Sequence, residues 1–149
     1  MARLKHIVMR NLLLVMAIFL MIGCSQELGR EALATAHVKG TVKLMSRPLS
    51  VGWIEFWPVE GTLGNFRVAP LKPDGSFELS GVAVGRNRIV LAHAPLGDIF
   101  TPIGPVPGQM FTHLGDSPIE REIKLEGNTI DLDLGPIAYE YALKKRRGG

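Results

Sequence analysis

The residue with the clearest chemistry in this 149-residue chain is Cys24, its only cysteine. Because a lone cysteine has no disulfide partner in its own chain, its thiol is free, bridged to another molecule or covalently modified. An apolar stretch from Leu12 to Ile22 precedes it, and the first ten residues carry three basic side chains and no acidic one. This pattern is typical of a secretory signal peptide, since a bilayer span needs about 20 apolar residues. Residues 1–23 are therefore predicted to be a signal peptide, and modification explains the position of Cys24 best.

The run Leu20-Met21-Ile22-Gly23-Cys24 resembles the lipobox of bacterial lipoproteins, with Met21 where Leu is usual. The resemblance implies cleavage between Gly23 and Cys24, a diacylglyceryl group on the Cys24 sulfur, and acylation of the new amino group, for example with palmitate. The membrane is then the partner that the lipid on Cys24 binds. The outer membrane is favoured over the inner one, because Ser25 lacks the charge of an Asp retention signal. The alternative is an uncleaved signal anchor that ends at Cys24.

The basic balance of the chain comes from its first 23 residues. The formal net charge is +3, from 17 basic and 14 acidic residues, and three of the basic residues precede Cys24. Removing that segment leaves equal numbers of the two signs, so the composition gives no support to nucleic-acid binding. Lys144–Arg147 remain as a basic cluster near the end of the chain. We predict a basic C-terminal tail over residues 136–149 in which the run Lys144–Arg147 is solvated, with contact of that run to anionic headgroups or envelope polymers as the alternative.

The sequence offers few groupings for catalysis. His37, His93 and His113 each stand alone, with no close histidine pair and no second cysteine for a zinc site. It contains no Gly-x-Ser-x-Gly elbow and no glycine-rich phosphate loop. We therefore predict that the protein is not an enzyme and has no catalytic residue, cofactor or metal. The alternative is a small hydrolase or ligand carrier that uses His113 and Asp116 in the proline-rich segment 95–118.

Short runs with period-two alternation recur from Ala36 onward, between proline and glycine clusters. Such runs are typical of half-buried strands. The seven predicted strands are 37–44, 51–57, 66–69, 76–79, 87–94, 119–125 and 129–134. This number of strands in about 100 residues predicts an all-β domain, an antiparallel two-sheet sandwich over residues 36–135. The small and polar residues 24–35 are predicted to form a tether.

The order of these runs resembles the carboxypeptidase regulatory-like domain, a β-sandwich of the transthyretin (prealbumin) type. The most specific part is Asp74-Gly75-x-Phe77-x-Leu79, followed by Gly81-Val82-x-x-Gly85. The resemblance covers residues 36–134. It departs at the first hairpin, where Ser46-Arg47-Pro48-Leu49 stands in place of an Asp-Gly-Lys-Pro-like turn, and in the proline-rich loop after Ala94. It implies a fold and no activity, because one fold carries many functions.

Two sets of residues are candidates for binding a partner. Segment 95–118 is the longest irregular stretch, and its Phe100, Met110, Phe111 and His113 form the candidate contact loop. In the alternative, the apolar side chains of this loop fold back to cap the sandwich. We predict an exported cell-envelope lipoprotein whose non-catalytic domain binds envelope protein or polysaccharide.

Trp53 and Trp57 share one face of the second predicted strand. If exposed, the two rings would form a platform on which a carbohydrate stacks. Because the flanking strands are also apolar, we expect both rings to be buried.

Overall fold

The computed structural model of the chain describes residues 33–148. The predicted signal peptide, its cleavage site, Cys24 and most of the predicted tether lie outside the described residues. The described part contains these elements in order: β1 Thr35–Leu44, β2 Arg47–Pro48, β3 Trp53–Pro58, β4 Arg67–Pro70, β5 Ser76–Ala83, β6 Gly85–Ala92, β7 Ile99–Thr101, β8 Gly104–Val106, the 3₁₀ helix Gly108–Thr112, β9 Glu120–Ile123, β10 Asn128–Asp133 and α1 Leu134–Arg147. The prediction of a domain built mainly from β-strands is confirmed.

Most of the strands form two four-stranded sheets. In the first sheet β1 lies between β10 and β5 and also pairs with the short β2. In the second sheet the order is β4-β3-β6-β9, and all neighbours run antiparallel. β7 and β8 form a separate antiparallel hairpin. Each of the seven predicted strands overlaps an observed one, while β2, β7 and β8 were not predicted.

One strand pair departs from the antiparallel prediction, because β1 and β10 run parallel. Such a pair needs a long crossover connection, and here most of the domain supplies it. Gly40 of β1 lies opposite Ile130 of β10. A Cβ at Gly40 would lie 1.8 Å from the Ile130 carbonyl oxygen, so only glycine fits at this approach of the two strands.

The core lies between the inner faces of the two sheets. Val38 and Val42 of β1 and Ile54 and Phe56 of β3 are each 0% exposed. The rings of Phe56 and Phe77, one from each sheet, have centroids 6.0 Å apart. Burying one such side chain stabilises a fold by about 1.5–3 kcal/mol, so this layer holds the sheets together.

The basic tail predicted over residues 136–149 is largely helical, because Leu134–Arg147 form α1, and its run Lys144–Arg147 is exposed, as the solvated reading of that run expects. Leu134 and Ala138 are buried, and Ile137 and Tyr141 pack against the core. The spacing of these residues is that of one helical face. Asp133 begins the helix, where its side chain accepts a hydrogen bond from the Gly135 N–H at 3.1 Å.

The compact unit of the described residues starts at Leu33 and includes the helix, and therefore extends beyond the predicted domain 36–135 on both sides. Within residues 33–148 we find no helix that is both long and apolar enough to span a bilayer.

Candidate binding surface

The outer side of β3 carries large aromatic residues. Trp53, Glu55 and Trp57 alternate with the buried Ile54 and Phe56, so they point away from the core. Trp53 is 44% exposed and Trp57 is half-buried. The expectation that both tryptophans are buried is therefore wrong, because the bulky residues of β3 face two sides and only one side meets the other sheet.

Strand β4 extends this apolar surface. Glu55 lies opposite Val68 and Trp53 lies opposite Pro70. Phe66, just before β4, stacks on Trp57 with ring centroids 4.3 Å apart and an angle of 7° between the planes. Phe66 is 46% exposed and Val68 is 43% exposed. We call Trp53, Trp57, Phe66 and Val68 the aromatic face.

Polar groups border the aromatic face. The indole Nε1–H of Trp57 donates to Glu55 Oε2 at 2.7 Å, which fixes the indole ring beside a carboxylate. On the β6 side Trp57 lies opposite Arg88, whose Nη2 donates to Glu120 Oε1 at 2.6 Å. The surface therefore combines flat apolar rings with carboxylate acceptors and a guanidinium donor. Such a set can stack against an apolar ring and hydrogen-bond to hydroxyl groups.

The outer side of the first sheet is polar. His37, Lys39, Thr41 and Lys43 alternate with the buried residues of β1. The Thr41 hydroxyl donates to Asp131 Oδ1 at 2.7 Å. We call these four residues, with their neighbours on β5 and β10, the polar face. It is an ordinary solvated surface, and nothing in its contacts singles out a ligand.

The residues of the predicted contact loop differ in their exposure to solvent. Phe100 is 72% exposed, but Met110 is 9% exposed and Phe111 is 0% exposed. Met110 and Phe111 belong to the 3₁₀ helix and pack into the core. Their assignment as contact residues is wrong, and the alternative, that they fold back over the domain, is correct for these two side chains.

His113 is exposed, but its side chain is occupied by its own segment. Its Nδ1 lies 3.1 Å from the Gln109 carbonyl oxygen and 3.1 Å from the Thr112 hydroxyl. His113 contacts Asp116 through the backbone, where the Asp116 N–H donates to the His113 carbonyl oxygen at 3.2 Å. The fold thus provides no hydrogen bond between this imidazole and the Asp116 carboxylate within the described chain.

His93 and His113 line the same open cavity, together with Gln109 and Thr112. His93 has a left-handed backbone with φ of 56°, which is uncommon for a residue other than glycine. No cluster of three or more His, Cys, Asp or Glu side chains suited to a metal ion occurs between residues 33 and 148.

Comparison with known proteins finds no matching family model, no similar curated protein and no similar solved structure.

Proposed function

We propose that this protein is a lipid-anchored cell-envelope protein whose β-domain is a non-catalytic module that binds envelope polysaccharide. The domain is taken to be a transthyretin-like sandwich of the carboxypeptidase regulatory type, as the motif around Asp74 and Gly85 implies. One observation carries the binding function: Trp53, Phe66 and Val68 of the aromatic face are exposed on the outer side of a four-stranded sheet, with the Trp57 and Phe66 rings already stacked.

The aromatic face suits a sugar polymer for physical reasons. A pyranose ring has an apolar C–H face, which packs on the π-face of an aromatic ring, and peripheral hydroxyls, which need hydrogen-bond partners. Trp53 and Trp57 are four residues apart on one strand, which places them roughly 13 Å apart. Glu55 lies between them and presents a carboxylate to hydroxyl groups. An open row of this length favours an extended chain over a single small ligand.

Rigidity supports the same function. Trp53, Trp57 and Val68 stand on paired strands, and Phe66 is held by stacking on Trp57, so little conformational entropy is lost when a ligand binds. Val90 lies opposite Glu55 on this side of the sheet and is only 2% exposed, so the aromatic face is bordered on its β6 side by a position closed to water. Large exposed apolar patches on a domain commonly mark binding surfaces.

Binding is tested by co-sedimentation of the purified protein with peptidoglycan sacculi. We expect Trp53→Ala and Phe66→Ala to lower the bound fraction strongly, because each removes a stacking surface. Leu125→Ala is the matched control, since Leu125 is 67% exposed and lies outside the aromatic face. Equal sedimentation of all variants contradicts polysaccharide binding. If the protein instead binds an envelope protein, and this binding needs Trp53 and Phe66, then the partner is a protein and not a polysaccharide.

The lipid anchor rests on the lipobox-like sequence at Cys24 and is tested separately. Intact mass and membrane fractionation are measured for the wild type, Cys24→Ala and the matched control Ser25→Ala, expressed in a bacterial host. We expect the wild type and Ser25→Ala to lack residues 1–23, to carry lipid and to sediment with membranes. Cys24→Ala should remain uncleaved and unlipidated. A full-length, unmodified wild-type product contradicts the anchor.

A further inference from the structure

The end of α1 carries a fixed group of cations. Lys144, Lys145, Arg146 and Arg147 are all exposed and occupy the last turn of the helix. None of the ion pairs found between residues 33 and 148 involves them. Because they occupy the last turn of a helix that packs against the core, their charges cluster at one end of that helix.

The β7–β8 hairpin lies beside α1 and adds apolar side chains to this region. One groove is lined by Phe100 and Pro102 of the hairpin and by Pro136 and Tyr139 of the helix. A second groove is lined by Ile103 and Pro105 of the hairpin and by Tyr141, Lys145 and Arg146 of the helix. We call the surface formed by residues 100–105 and 136–147 the hairpin–helix face.

Phe100 is the most exposed of the large apolar side chains in the described chain, at 72%. Phe100 lines the first groove, and Lys145 and Arg146 line the second. The hairpin–helix face therefore carries both an exposed aromatic ring and clustered cations, the two features that membrane-surface segments combine. The ring enters the boundary between headgroups and acyl chains, and the cations meet anionic headgroups. A soluble polyanion would satisfy the cations but would leave Phe100 in water, so the pairing of the two features favours a lipid surface.

We propose that the hairpin–helix face docks on anionic phospholipid headgroups and forms a second membrane contact. The proposal rests on the proposed lipid anchor, which brings the domain to a membrane. The chain length permits this contact. The helix begins after β10, which runs parallel to β1, so it starts at the far end of the first sheet from Leu33. β1 is roughly 33 Å long, and the stretch of chain from Cys24 to the start of β1 at Thr35 reaches roughly 36 Å when extended.

The test places a reporter on the hairpin–helix face. Phe100→Trp is made in the full chain and the purified protein is reconstituted into vesicles with brominated acyl chains, which quench nearby tryptophans. One vesicle type is phosphatidylcholine alone and the other also contains phosphatidylglycerol. Wild type supplies the background from Trp53 and Trp57. We expect the emission added by Phe100→Trp to be quenched about twofold more strongly on the anionic vesicles than on phosphatidylcholine alone. High salt should remove this difference.

Matched variants separate charge placement from total charge. Lys145→Gln with Arg146→Gln should abolish the difference between the two vesicle types. Lys39→Gln with Lys43→Gln makes the same change in net charge on the polar face and should leave the difference intact. Equal quenching on both vesicle types, or loss of the difference with the polar-face pair, overturns the proposal. Binding of soluble heparin that needs Lys145 and Arg146, without selective quenching on anionic vesicles, also overturns it.

The anchor and this second contact fail in different ways. A missing lipid mass disproves the anchor. The quenching difference must still appear when that same protein is added to the two vesicle types, because the cations act without the lipid. A lipidated protein with equal quenching on both vesicle types disproves the second contact alone.

Discussion

The outer faces of the two sheets differ although their inner faces are alike. β1 and β3 each lie between two strands of a sheet and each buries apolar residues, Val38 and Val42 in one and Ile54 and Phe56 in the other. Outside, β1 presents lysines and a threonine, whereas β3 presents Trp53 and Trp57. Folding does not require apolar residues on an outer face, as β1 demonstrates. This difference supports the proposal that the aromatic face contacts something other than this domain.

The side chains of the two faces also differ in the contacts that they make at the surface. On the polar face the polar ends remain in water or contact each other, as His37 Nε2 does with Glu78 Oε1 at 3.0 Å. On the aromatic face the rings stack on each other, and Phe66 and Trp53 remain partly exposed to water. Covering those rings with a ligand would remove apolar area from water, which is favourable.

The largest expected effect comes from the inner side of β3. Phe56→Ala should lower the free energy of unfolding by about 3–5 kcal/mol, because it leaves a cavity in the core shared by both sheets. Urea denaturation measures the loss. The comparison is Trp53→Ala on the outer side of the same strand, for which we expect less than about 1 kcal/mol. An equal loss for both variants would show that the aromatic face is part of the folding core.

The second effect concerns the edge of the polar face. Asp133 Oδ2 accepts from the Ser46 N–H at 3.0 Å, while Oδ1 caps α1. Asp133→Ala should therefore lower the free energy of unfolding by about 1 kcal/mol, as is typical for the loss of a helix N-cap. Lys43→Ala, at the residue paired with Asp133 across the strands, is the control and should change it little. Thermal unfolding of the two variants decides this, and equal melting temperatures would refute the capping role.

A smaller effect concerns the polar border of the aromatic face. Arg88 and Glu120 form an ion pair in which their side chains are 30% and 28% exposed. A double-mutant cycle with Arg88→Ala and Glu120→Ala should give a coupling of roughly 0.5–1 kcal/mol that falls as salt is added. A coupling near zero at low salt would show that this ion pair contributes nothing to the stability of the fold.

The smallest effect lies in the turn that joins the two sheets. The hydroxyl and the backbone N–H of Ser76 donate to the Asp74 carboxylate and lower its pKa. A carboxyl group whose pKa is lower in the folded state than in the unfolded state stabilises the fold at pH values above the unfolded pKa. This contribution is lost as the pH falls through the folded pKa. Asp74→Asn should thus slightly flatten the pH dependence of stability below pH 4, measured by urea denaturation. An unchanged pH profile would show that this exposed turn contributes nothing.

Local pattern predicted much of the fold. The alternation in β1 and β3 and the turn at Asp74-Gly75 locate strands without tertiary information. The helix α1 was missed because its basic end, Lys144–Arg147, resembles a solvated tail. Its apolar residues from Leu134 to Tyr141 do carry a helical spacing, which was a usable signal. The parallel pairing of β1 with β10 depends on contacts between the two ends of the domain, and no local pattern encodes it.

The candidate site could be predicted only in part. Trp53 and Trp57 are recognisable as a pair on one side of a strand, but period-two alternation cannot tell which side meets the second sheet. The stacking of Phe66 on Trp57 depends on the register between β3 and β4, across a loop of irregular sequence. Burial of Phe111 likewise depends on the packing of the 3₁₀ helix against β6. The prolines in the surrounding segment predict an irregular loop and give no sign of this packing.

Tryptophan emission tests the polysaccharide-binding claim most directly, because the only two tryptophans of the chain, Trp53 and Trp57, both belong to the aromatic face. The full chain is titrated with soluble glycan fragments of peptidoglycan. We predict a saturable change in emission, with an affinity that falls about tenfold in Phe66→Ala, equivalent to about 1.4 kcal/mol, and is unchanged in Leu125→Ala. Emission that does not respond at any glycan concentration, from protein shown to be folded, would contradict polysaccharide binding by this surface.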